Sequence, residues 1–175
     1  FRYKEDGIHH LTAPNPYRRP EGMSEAQFCD WLVAEFEALI GRVGADRIGG
    51  FIAEPIQASG GVIVPPDGYL RRMWEVCQRH DILFIADEVV TAFGRLGHWF
   101  ASEAEFGVVP DMITCAKGLT SGYLPLGAVI FSDRIWEGMA AKGERWFTSG
   151  FTYSGHPVSC AAALKSIEII EDEGL

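Results

Sequence analysis

"DILFIADEV", residues 81–89, holds an unbroken apolar run from Ile82 to Ala86 with charge on either side. An alternating run would mark a strand with one wet face. A continuous run marks a strand covered on both faces, the situation of a parallel sheet under helices. "DMITCAKG", residues 111–118, repeats the design, and "GGFIAEP", residues 49–55, is a shorter version. Strands are therefore expected near 50–54, 82–86 and 112–116. Between the first two, "YLRRMWEVCQRH", residues 69–80, has helical character. The alternation of strand and helix predicts an α/β fold: a three-layer α/β/α arrangement around a mostly parallel sheet.

Outward from that core, "GAVIFS", residues 127–132, follows Lys117 by about ten residues. A parallel crossover takes a dozen or more residues and usually a helix. The connection "GLTSGYLPL" is too short and too rich in turn formers, so a strand at 127–131 is expected to run antiparallel to its predecessor. "SEAQ", residues 24–27, fits a capping box and predicts a helix start at Ser24. Its apolar face is Phe28, Trp31, Leu32, Phe36, Leu39 and Ile40, and Gly41 is expected to stop it. "SDRIWEGM" predicts a short helix and "HPVSCAAALKSIEIIEDE" a long one closed by Gly174. Residues 1–23 are loop-like, and "SGFTYSGHP", residues 149–157, reads as a loop.

A net charge of −9 without a basic block argues against nucleic acid and anionic membrane as partners. No apolar run approaches a membrane span, and "FRYKEDGIHH" lacks the regions of a signal peptide. Cys29, Cys77, Cys115 and Cys160 form no C-x-x-C pair. They read as reduced core residues of a cytoplasmic protein, with no metal site. The first residue is Phe1 and the last stretch stops as a helix ends, so both ends are expected to be cut from a longer chain.

Three of the strands end in charge: Glu54, Asp87 with Glu88, and Lys117 just past the third. Ligands of open α/β sheets bind beyond the carboxyl ends of the strands. Any one of these residues could be plain loop charge; three on successive strands suggest a site. A lysine and an aspartate in one dry pocket suit pyridoxal phosphate. The amine forms a Schiff base with the aldehyde, and the carboxylate keeps the ring nitrogen protonated, which makes the ring an electron sink.

"FIADEVVTAFGRLG", "CAKGLTSGYLPLGAV" and "FTYSGHPVSCAAAL", with "IAEPIQASGGVIVPPDGYL" upstream, closely resemble class III pyridoxal-phosphate aminotransferases of fold type I. The resemblance implies that Lys117 is the Schiff-base lysine and proton shuttle and that Asp87 partners the pyridine nitrogen. It implies that Val89 packs on the ring face opposite the substrate and that Glu54 is an acid close to that aspartate. Thr152 would bind the cofactor phosphate of a neighbouring subunit, which implies a homodimer. Val89 could equally be core, Glu54 a solvated acid and Thr152 a turn residue. His156 before Pro157 reads as capping or packing, Arg95 as loop structure, and His9 and His10 as surface residues.

Val90 stands where the ornithine and 4-aminobutyrate branches carry Gln, and Ala92 and Leu96 stand where Gly and Thr are common. "DEVVTAFGR" is more like the branch that passes amino groups from ω-amino acids, diamines or simple amines to pyruvate. The resemblance implies amine or amino acid and 2-oxo acid substrates. It makes residues 1–175 part of a large cofactor-binding domain. The glycine-rich phosphate loop and the small C-terminal domain lie outside it, so these 175 residues alone are expected to be inactive. An aminomutase or decarboxylating relative would share Lys117 and Asp87, and a non-catalytic remnant is a further alternative. A nucleotide-binding domain is disfavoured by the lack of G-x-x-x-x-G-K-[ST] and by the Pro-rich loop after "SGG" at 59–61.

Overall fold

A computed structural model describes residues 7–141 and 149–175. The first six residues of the loop expected over 1–23 lie outside the described residues. Four strands form one sheet in the order β1 (Gly50–Ala53), β2 (Leu83–Asp87), β3 (Met112–Cys115), β4 (Ala128–Phe131). The first two pairings are parallel and the last is antiparallel. The short β3–β4 connection thus reverses the chain, as its length requires.

Helices α1 (Glu25–Val43) and α2 (Tyr69–Arg79) cover one face of the sheet. Along β2 the pleat turns Phe84 and Ala86 into this core, where both are fully buried. Phe51 bridges the layers, its ring 4.9 Å from that of Phe36 and 5.5 Å from that of Phe84. The opposite row, Ile52–Ile85–Met112–Phe131, faces away from α1 and α2. Ile85 and Met112 are half-buried there, while Ile52 is 60% exposed.

Ser24 and Gln27 make both hydrogen bonds of the capping box that starts α1. The helix does not stop at Gly41. It runs to Val43, which packs on the core, and Gly44 supplies the positive φ of 94° at the cap, its N–H donating to the Ile40 carbonyl. A mid-helix glycine costs only about 1 kcal/mol, which the partial burial of one more apolar side chain offsets. Trp31, expected on the buried face, is 40% exposed and stacks on Phe28. A one-turn helix α3 (Ala101–Ala104) has too few residues to show a period. Helices α4 (Asp133–Ala140) and α5 (Pro157–Glu173) lie where the sequence suggests, and Gly174 closes α5 with φ 65°.

The N-terminal edge of the strands is fastened by Asp111. Its Oδ2 accepts from the Phe84 N–H at 2.8 Å, and its Oδ1 meets Arg134 at 3.3 Å; Arg134 also pairs with Asp81.

The four cysteines are free thiols. Burial pushes the Cys77 thiol from 9.0 up to about 12 and pushes the Tyr69 hydroxyl up as well. Both groups resist ionisation in the folded chain but ionise normally once unfolded. Their contribution to stability is therefore complete below pH 9 and is lost as pH rises from 9 toward 12. The urea midpoint should hold to about pH 9 and fall at pH 10 and 11. A midpoint unchanged through pH 11 would contradict the burial of these groups.

Candidate active site

The site is built by register. Ala53 pairs with Ala86, so Glu54 and Asp87 follow at the same level of β1 and β2. Asp87 pairs with Thr114 on β3, and Lys117 stands two residues beyond that strand's last residue, Cys115. All three charged residues sit at the C-terminal edge of adjacent parallel strands, where open α/β sheets bind ligands.

Asp87 shares the pleat of Leu83 and Ile85 and is half-buried. Its Oδ1 accepts the Val89 N–H at 3.1 Å, a local turn that fixes the carboxylate and leaves Oδ2 uncommitted. No cation pairs with it among the described residues. Val89 is half-buried beside it. Arg95 donates from Nε to the Val90 carbonyl at 3.2 Å, the structural role its loop suggests.

Lys117 opens a 3₁₀ turn, Lys117–Thr120, after an extended Ala116. Its φ is +40°, an unfavourable backbone region for a residue with a Cβ. The side chain is exposed rather than dry, and among the described residues its amine has no hydrogen-bond or ion-pair partner. The turn is held from two sides. A Cβ on Gly118 would lie 2.9 Å from the Phe93 Cβ and 3.4 Å from the Ala92 carbonyl, so only glycine lets the 89–100 loop cross here. On the other side α5 packs on the turn, the Ser166 hydroxyl lying 2.9 Å from that of Ser121 and 3.4 Å from the Gly118 carbonyl.

Glu54 is half-buried and its Oε2 accepts the Ala58 N–H at 3.0 Å. It lines a cleft with His9, Gln57 and Tyr69, which reaches neither Asp87 nor Lys117. Lys117 instead borders a hollow with Tyr123, Pro125 and Leu126. Thr152 is exposed on the loop that leads into α5, between exposed Phe151 and Tyr153. His156 holds the N-cap position of α5 without a capping side-chain bond; its ring tilts against Tyr153 at 6.0 Å.

Glu88, Gly118 and Ser166 gain their roles only from the fold. Glu88 had a usable signal: the period of two that turns Asp87 to one face of the sheet turns its neighbour to the other. Gly118 and Ser166 act through a loop and a helix far away in the chain, which no local pattern records.

The donor set fits pyridoxal phosphate. An uncommitted amine can meet an aldehyde, a carboxylate with one free oxygen can meet a ring nitrogen, and Val89 offers an apolar surface beside it. No group of acids, histidines or cysteines among the described residues could hold a metal ion.

The sequence profile described as Aminotransferase class-III matches residues 1–175. The putrescine–pyruvate aminotransferase of Pseudomonas aeruginosa is 48% identical over 167 residues, which are 95% of this chain and 36% of that protein. A thermostable (S)-enantioselective omega-transaminase from Thermomicrobium roseum superposes with a TM-score of 0.91 at 49% identity, covering 99% of this chain and 38% of that one. The omega transaminase from Pseudomonas jessenii in complex with PMP gives 0.92 at 41%, over 98% and 38%.

The mixed sheet is that of the fold type I transaminases. The chain belongs to the class III aminotransferases, a pyridoxal phosphate-dependent family. It spans about a third of the length of the relatives it matches.

Proposed function

We propose that these residues are part of the large, cofactor-binding domain of a transaminase that moves an amino group from an amine or ω-amino acid to pyruvate. The observation that carries this reading is the placement of Asp87 and Lys117 at the C-terminal ends of neighbouring strands, each without a counter-ion among the described residues. A lysine tolerated at φ +40° also calls for a reason beyond folding.

When bound, the cofactor supplies the electron sink. The chain's own residues supply the rest. Lys117 would hold the cofactor through its amine and, once free of it, would carry a proton on Nζ during the amino-group transfer. Asp87, oriented by the Val89 N–H, holds a proton on the ring nitrogen. Val89 packs against the ring, and Glu54 stands at the same strand-end level as Asp87. Thr152, exposed before α5, serves the cofactor phosphate of a second subunit, so the working enzyme is a homodimer; the free cysteines suit the reducing cytoplasm.

Pyruvate as acceptor is supported by Val90 in place of Gln and by the name of the Pseudomonas aeruginosa relative. The full-length protein, given putrescine as donor, should form alanine from pyruvate at least about tenfold faster than glutamate from 2-oxoglutarate. Faster glutamate formation would overturn the choice of acceptor.

A further inference from the structure

We infer that Glu88 is a positioning residue for the proposed Asp87–Lys117 pair, an inference that rests on the reading above. Glu88 is fully buried with no cation beside it among the described residues. A carboxylate buried without a cation is costly unless hydrogen bonds compensate it. This one collects donors. Oε2 accepts from the Thr91 hydroxyl at 2.9 Å and the Ala101 N–H at 2.8 Å. Oε1 accepts from the Ser102 N–H at 2.7 Å and the Ser102 hydroxyl at 2.5 Å. Both oxygens are thus filled by donors alone, a pattern only an acceptor-only group satisfies.

These bonds join the two ends of the 89–100 loop. At one end the Glu88 N–H extends the ladder beyond β2 by donating to the Thr114 carbonyl at 2.8 Å. At the other, the carboxylate holds the first two N–H groups of α3. The clamped loop touches both halves of the proposed site. Its first residue, Val89, donates the N–H that orients the Asp87 carboxylate. Further along, Phe93 presses on Gly118, next to Lys117. Glu88 therefore acts on the site through the loop and touches no reacting atom.

Glu88→Gln tests this because it keeps the shape and removes the pattern. Whichever oxygen the amide nitrogen replaces, its N–H faces a backbone N–H, of Ala101 or of Ser102, and one buried donor is left unmet. In the cofactor-free full-length protein, hydrogen exchange at Val89, Ala101 and Ser102 should quicken by roughly tenfold or more, while α1 and α2 amides stay as in wild type. With cofactor bound, the pH at which its visible absorbance changes should move down by about one unit, and kcat should fall about tenfold with KM for pyruvate nearly unchanged. A merely structural role would lower stability without moving that pH. Thr91→Ser, which keeps a hydroxyl, should match wild type. If Glu88→Gln does not fold, Ser102→Ala decides, since it removes one donor of four: exchange at Val89 should quicken about threefold. Wild-type exchange at Val89 and an unmoved absorbance profile in the folded variant would overturn the inference. Failure of the wild-type protein to take up cofactor at Lys117 would instead overturn the reading on which it rests.

Discussion

In the full-length protein, Lys117→Ala should remove the proposed transamination, with a loss of about a thousandfold or more. On the proposed reading the lysine would hold the cofactor covalently and carry a proton, and alanine could do neither. Added cofactor does not restore the rate, because the proton carrier is missing as well. The backbone makes a sharper version possible. Lys117 has φ +40°, where a Cβ costs about 1–2 kcal/mol and glycine little. Lys117→Gly should therefore lose the same activity while the protein becomes more stable by about 1 kcal/mol. A stability gain coupled to loss of function is what strain kept for chemistry predicts. Retained turnover in either variant would assign the chemistry to another residue.

Asp87→Ala has the second largest effect, a fall of roughly 10²–10³ in kcat. On the proposed reading the carboxylate would hold a proton on the ring nitrogen of the bound cofactor, which alanine could not do. The fold loses little, because Asp87 is half-buried and accepts a single bond from the Val89 N–H. Unfolding should shift by about 1 kcal/mol. Turnover within fivefold of wild type would remove Asp87 from the proposed mechanism.

Much of this arrangement is legible in the sequence, for identifiable reasons. The apolar run 82–86 belongs to a central strand because burial leaves no room for alternation, and the structure has it one residue later, at Leu83–Asp87. The antiparallel β4 follows from chain length alone. Ser24 and Gln27 announce α1 because their capping bonds are local. The end of that helix is not local: Val43 reaches the core and carries the chain past Gly41. The open row from Ile52 to Phe131 is equally invisible, since an apolar run records what a face requires and not what covers it. At the site, the sequence places Glu54, Asp87 and Lys117 at the ends of successive strands; that Glu54 lines a separate cleft and that Lys117 is exposed are not legible there. The positive φ of Lys117, the passage of Phe93 over Gly118 and the burial of Glu88 depend on contacts between distant segments, and they emerge only with the fold.

The central claim concerns one amine. The chain has three other lysines, Lys4, Lys142 and Lys165, and Lys165 is already paired with Glu168 at 2.7 Å. The full-length protein can be loaded with pyridoxal phosphate, reduced with borohydride to make the lysine bond permanent, digested and mapped by mass. The account predicts the cofactor's mass on the peptide containing Lys117 and on no other. The same mass on a peptide carrying Lys4, Lys142 or Lys165, with Lys117 unmodified, would contradict it.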